Sequence, residues 1–174
     1  MATKTGIEPH APREVDGVLH RPDGLKYLPP RRASAFLGLV RAGYALDREL
    51  DQELEREHGI GLRAFEVLLF LAVFAREGAL RIGELIERTP LSQSRVSRLV
   101  AELEARGLVE RSAADGDRRG VLVSLTPRGV ETFKAAQDTH LAGLERRLFS
   151  RLTESEIRQL ARITSKILRE DRSG

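Results

Sequence analysis

The chain of 174 residues contains no cysteine, which excludes disulfides, thiolate metal ligands and thiol-based redox sensing together. Nor does it contain an apolar run near the ~18 residues that a membrane span needs. The longest such run, VLLFLAVFA from Val67 to Ala75, is too short. The N-terminus shows neither the apolar core of a secretion signal nor a lipidation motif, so a cytoplasmic protein is expected. Signatures of catalysis are missing as well. No glycine loop of the phosphate-binding kind and no nucleophile motif is found, and the four histidines, His10, His20, His58 and His140, lack metal-ligand spacing. An enzyme, a cofactor and a bound metal are therefore not expected. There is no large excess of one sign of charge: the net charge of +3 says little about partners until the positions of the charges are known.

What the chain does have is 41% hydrophobic and 32% charged residues, a balance typical of a globular helical protein. Its length suits one domain, or one domain with an extension, around a real core. Arginine greatly outnumbers lysine. Genome composition can produce that bias, but the planar guanidinium fork also suits phosphate and guanine.

Residues 1–32 scatter proline, glycine and charge without sustained periodicity, and predict a partly disordered N-terminal extension ending at the rigid turn LPPRR. From Ala33 to about Glu57, apolar residues recur at helical spacing, and HGIG interrupts them. LRAFEVLLFLAVFA, Leu62 to Ala75, is apolar nearly all round, as a helix buried between layers would be. A short helix follows from about Ile82 to Arg88. The turn TPLS ends on Ser92, which can cap a helix running from Gln93 to about Arg106, where Gly107 stops it. Further on, Thr126 is placed as an N-cap with Pro127 at the first helical position. Val130, Phe133, His140, Leu141, Leu144 and Leu148 then form one stripe. Thr153 and Glu156 stand at capping-box spacing before a last helix expected to bury Ile157, Leu160, Ala161, Thr164, Ile167 and Leu168. No internal repeat stands out.

The middle third carries the functional signal. On the helix after TPLS, Val96, Leu99, Val100 and Leu103 share one face, while Ser94, Arg95, Arg98 and Ala101 gather on the other. From Ser92 to Ala101 the free face holds arginines, hydroxyls and Gln93 but no acid; Glu102 and Glu104 come only afterwards. A short helix, a tight turn and a second helix of this kind make a helix-turn-helix, whose second helix enters the major groove N-terminus first. Arg pairs with guanine, Gln with adenine, and Ser with bases or phosphate. Ser92, Gln93, Ser94, Arg95, Ser97 and Arg98 are therefore the candidate contacts; a merely solvated helix face is the plain alternative.

Directly after this helix, Val109–Arg111 and Gly120–Leu125 can pair as strands around a loop with Asp115, Gly116, Asp117, Arg118 and Arg119. A β-ribbon beside a helix-turn-helix is a wing, and an arginine at its tip (residues 112–120) suits a narrow minor groove. Asp117 would be repelled by phosphate unless occupied by an arginine, so it is read as orienting Arg118 or Arg119. An ordinary polar hairpin is the alternative.

LSQSRVSRLVAELEARGLVERSAADGDRRGVLVSLTPRG resembles the winged-helix core of the MarR family of bacterial transcriptional regulators, and the likeness extends over about residues 33–168. The family wing pattern of Asp, one residue and Arg maps onto Asp117 and Arg119, with Arg118 between. The fold class implied is mainly α with a small β-wing. A winged helix-turn-helix occupies 61–125, the helices of 33–60 and 126–174 form a dimerisation region, and 1–32 is the extension. The resemblance implies a homodimeric regulator, a repressor in the first instance, bound to double-stranded DNA at a pseudo-palindromic operator. Apolar stripes on the flanking helices, too extensive for a winged helix to cover, support a partner surface. It also implies release by a small aromatic or anionic effector, for which Arg41, Tyr44, Arg63 and His140 are candidates, although Tyr44 and His140 fall on stripes where packing is the commoner role. A helical scaffold or protein-binding module that uses a winged helix to hold a partner chain is the competing reading.

Overall fold

A computed structural model describes residues 12–75, 78–114 and 117–169, without the side chains of residues 114–119 and 169. By its internal contacts the chain divides into two compact units, residues 1–45 and 46–174.

In the first unit, β1 (Arg13–Val15), β2 (Val18–His20) and β3 (Lys26–Tyr27) form an antiparallel sheet in that order. Asp16 and Gly17, at φ of 50° and 75°, make the two-residue turn between β1 and β2, with Val15 opposite Val18. Both turn residues must adopt left-handed backbone, which Asp-Gly does at little cost. This sheet was not predicted, although VDGV is a hairpin signal. Helix α1 (Pro30–His58) starts three residues before the expected Ala33, because the fixed φ of proline suits a first helical turn. The Arg32 guanidinium donates to the Gly17 carbonyl at 3.3 Å. Phe36, Leu37, Val40 and Tyr44 lie exposed along the first half of α1.

The second unit contains the rest of α1, α2 (Leu62–Phe74), β4 (Ala79–Arg81), α3 (Ile82–Arg88), α4 (Gln93–Ala105), β5 (Val109–Ala114), β6 (Asp117–Leu125), α5 (Pro127–Arg147), a 3-10 turn and α6 (Glu154–Arg169). Its antiparallel sheet has the order β4-β6-β5. Strand β4 is too short to show a periodicity of its own; it exists by pairing Leu80 with Val123, both buried. The core gathers Leu54 from α1, Phe65 and Leu68 from α2, Leu85 from α3, Val96, Val100 and Leu103 from α4, and Phe133 and Ala136 from α5.

Some of the expected burial is not found. The end of α2 is open, with Val73 and Phe74 exposed and the Arg88 guanidinium 5.3 Å from the Phe74 ring centre. Leu141 points outward from α5. On α6 no described residue is buried: Ile157, Leu160 and Thr164 are half-covered, and Ala161, Ile167 and Leu168 are exposed. The amphipathic pattern is real, but the described residues of one chain cover its apolar side only in part.

Between α1 and α5, the buried Glu53 accepts from Arg146 and from Arg147, the latter at 2.6 Å, and Arg147 also reaches Glu49 at 3.0 Å. Gly143 permits the close approach, since a Cβ there would lie 2.7 Å from a Leu50 methyl.

Candidate nucleic-acid interface

Two short-range devices set the position of α4. At its start, the Ser92 carbonyl accepts from the amides of Arg95 and Val96 at 2.9 and 3.0 Å. Ser92 is therefore the N-cap residue, as expected, but its hydroxyl does not cap; it faces the Ser94 hydroxyl at 3.2 Å. No side chain occupies the first-turn amides, whose dipole favours an anion such as a phosphate oxygen. At the other end Gly107, at φ 68°, lets the Leu108 amide reach the Leu103 carbonyl and its own amide the Glu104 carbonyl, at 3.0 and 2.8 Å. That is a Schellman stop. Thr126 then joins this stop to α5: its hydroxyl donates to the Gly107 carbonyl at 2.7 Å and accepts from the Gly129 amide at 2.9 Å.

Between these ends α4 turns Val96, Val100 and Leu103 into the core and leaves Gln93, Ser94, Arg95 and Arg98 exposed with Ser92. Ser97 is half-buried. So are Leu99, expected in the core, and Ala101, expected on the free face, because both sit at the boundary between the two sides. Arg95 and Arg98 make no ion pair among the described residues. Other arginines contrast with them. Arg111 is held by Glu104, with its Nε 2.7 Å away, and this bond raises the guanidinium pKa and lowers that of the carboxyl. Arg63 is held by Asp47 and Glu66, and Arg146 and Arg147 by Glu53. The N-terminal half of α4 thus presents positive charge that no acid of the described fold neutralises.

Strands β5 and β6 extend beyond the expected strand ends, so Asp117, Arg118 and Arg119 belong to β6 rather than to a loop. Ala113 pairs with Val121 but Ala114 with Asp117, so a register shift places Arg118, Arg119 and Gly120 in the irregular part of the ladder. The side chains of Asp117, Arg118 and Arg119, the pairing expected between them, and the turn residues Asp115 and Gly116 lie outside the described residues.

The four effector candidates are divided between the units. Arg41 and Tyr44 are in the first; Tyr44 is 72% exposed, not packed within its own chain. Arg63 and His140 are in the second; Glu66 pairs with Arg63 at 2.7 Å and its charge acts on His140. Burial works against the charge of Arg63, but the hydrogen bonds and charges of Glu66 and Asp47 outweigh it and raise its pKa. The His140 ring lies 4.6 Å from that of Phe65, and its Nδ1 is buried without a hydrogen-bond partner among the described residues. Burial pushes its pKa below the ordinary 6.5, with the charge of Glu66 opposing. Sequence reasoning missed two concavities behind α4. A groove of about 270 Å³ lies against the α1–α2 turn, and a hollow of about 210 Å³ lies beside Arg95 and Arg98; Arg63, Leu99 and Glu102 line both. Residues so far apart in the chain give no linear signal.

Residues 58–120, from the end of α1 into the wing, match the sequence model of the MarR family. Over these residues the chain is similar to the MarR family. Over 100 residues it is 35% identical to the HTH-type transcriptional repressor MdtR of Bacillus subtilis, a match covering 58% of this chain and 64%, just under two thirds, of that relative. Among solved structures, it is similar to the MarR family regulator Sco3205 of Streptomyces coelicolor, crystallised in complex with DNA. The TM-score is 0.77 at 28% identity, over 82% of this chain and 89% of that one. AbsC of the same organism shares the fold, with a TM-score of 0.79 at 24% identity over 86% and 100% of the two chains. The mainly helical MarR architecture with a small β-wing is thereby established.

Proposed function

We propose that this chain is a sequence-specific DNA-binding transcription regulator of the MarR family, a repressor acting as a homodimer. The observation that carries the reading is the exposed row of Gln93, Ser94, Arg95 and Arg98 on α4, whose guanidiniums no described acid neutralises. In this reading α4 enters the major groove, with Ser92 and Ser97 at the edges of the contact. Arg119, with Arg118 and Asp117 beside it, lies at the flanking minor groove. Residues 61–125 are the DNA-binding part, and 33–60 with 126–174 the dimerisation part. Support for a second copy comes from the two incompletely covered apolar faces, on the first half of α1 and along α6. Two-fold symmetry would then place half-sites about one helical turn, roughly 10 bp, apart. A small effector that loosens DNA binding belongs to the same proposal, with His140 of the second unit as a candidate contact. Arg63 is a weaker anion receptor than its residue type suggests, since two carboxylates already hold it. Among the described residues no helix is long and apolar enough to cross a membrane, in keeping with a cytoplasmic partner of DNA.

Gel-shift titration of the full chain against genomic fragments at two salt concentrations tests the reading. Fragment-selective binding that weakens steeply with salt is expected, because bound arginines displace counterions from phosphate. Absent or salt-insensitive binding would favour a scaffold that holds a protein partner.

A further inference from the structure

The two concavities behind α4 differ in charge. The hollow beside Arg95 and Arg98 is basic, with three guanidiniums against the one carboxylate of Glu102. The groove is not basic. Its apolar floor is formed by Leu99 and Leu103, and its walls carry three carboxylates, Asp51, Glu55 and Glu102, against two guanidiniums, Arg63 and Arg106. Counting charges understates the imbalance. Arg63 is already held by Asp47 and Glu66, neither of which lines the groove. Asp51 accepts from the Leu62 amide at 2.8 Å, a bond that fixes the carboxylate and leaves its charge in place. Glu55, Glu102 and Arg106 make no ion pair among the described residues, which sets two free carboxylates, with Asp51 beside them, against one free guanidinium. These carboxylates do not form a cluster that could hold a metal ion.

We propose that this groove binds a small organic monocation, an amine or amidine on a single ring or a short aliphatic body. The apolar part lies on Leu99 and Leu103, and the charge sits between Glu55 and Glu102. A volume of about 270 Å³ falls just below the ~300–1,000 Å³ usual for ligand pockets, which limits the occupant to about one ring. A carboxylate ligand of the same shape meets like charge on two walls. Tyr44, Arg41 and His140 do not line this groove, and only its consequence rests on the proposed function: Glu102 lines both concavities, one turn beyond Arg98, so an occupant that engages Glu102 sits one side chain away from the arginines assigned to DNA.

The test is an NMR titration of the full chain with benzamidinium and, separately, with benzoate, which has the same shape and the opposite charge. Benzamidinium is expected to shift the amides of Gly59, Gly61 and Leu103 saturably, and benzoate to leave them in place. Loss of two exposed ion pairs predicts that the double variant E55Q/E102Q binds benzamidinium more weakly by up to about thirtyfold. Its amide spectrum reports in the same experiment that it is folded. The proposal is overturned if benzamidinium shifts no groove amide, if benzoate shifts them equally, or if the double variant binds undiminished. Gel shifts separate the two levels: a ligand-free parent chain that binds no duplex refutes the regulator reading and leaves the groove result standing.

Discussion

Thr126 makes two side-chain hydrogen bonds that a single substitution removes without a change of shape. Its hydroxyl accepts from Gly129 and donates to the Gly107 carbonyl, while its amide bonds the Leu108 carbonyl at 3.1 Å. Thr126→Val keeps the amide bond and the branched side chain and loses both hydroxyl bonds. Loss of an N-cap costs ~1 kcal/mol, and loss of the bond to the Gly107 carbonyl a further ~1 kcal/mol. The expected destabilisation is about 2 kcal/mol, or a fall in Tm of roughly 4–8 °C for a chain of this length. Urea and thermal unfolding measure it, at one fixed protomer concentration, because association would otherwise shift the midpoints. Thr126→Ser retains both bonds and should stay within ~0.5 kcal/mol of the parent. The reasoning fails if the valine variant also stays within that margin, or if serine falls as far as valine.

At Gly129 a Cβ would sit 1.9 Å from the Leu108 carbonyl oxygen, so Gly129→Ala must push α5 away from the sheet; a loss of ~1–3 kcal/mol in urea unfolding is expected, and an unchanged midpoint would contradict the packing. His140 has a lowered pKa in the folded chain, so the unfolded chain takes up the extra proton as pH falls. Its stabilising contribution is complete above the unfolded value of ~6.5 and declines below it. Urea midpoints measured at several pH values from about 7.5 to 5 should therefore fall less in His140→Phe than in the parent; parallel slopes would refute this. On DNA, Arg98→Ala should cost ~1–3 kcal/mol of discrimination between operator and random duplex, whereas Arg119→Ala should weaken both about evenly. Equal losses on the two duplexes for Arg98→Ala would remove it from base reading.

How far the sequence could be read followed how local each cause was. The two sides of α4, the glycine stop at Gly107 and the caps at Thr126 and Thr153 depend on neighbours within a turn, and their residue types announce them. The Thr153 box closes as its spacing predicts, with the Thr153 amide 2.8 Å and the returning Glu156 amide 3.3 Å from their acceptors. Strand β4 was invisible because its bonds come from β6, more than forty residues away. The β1–β2 hairpin was readable at VDGV, but it was obscured by the surrounding charge. Leu141 and the outer residues of α6 were assigned to a core because an apolar stripe states only that a face seeks cover, not that the same chain supplies it. The groove behind α4 needed three dimensions: Asp51, Arg63, Leu99 and Arg106 share no pattern in the chain.

The hydroxyl of Ser92, turned toward Ser94 rather than into the helix, has a consequence in time. The amides of Gln93 and Ser94 have no side-chain acceptor to shelter them, so in the free protein they should exchange with deuterated water far faster than the interior of α4. A duplex whose phosphate closed over them would slow that exchange, so the opening turn, already formed, would gain protection on contact.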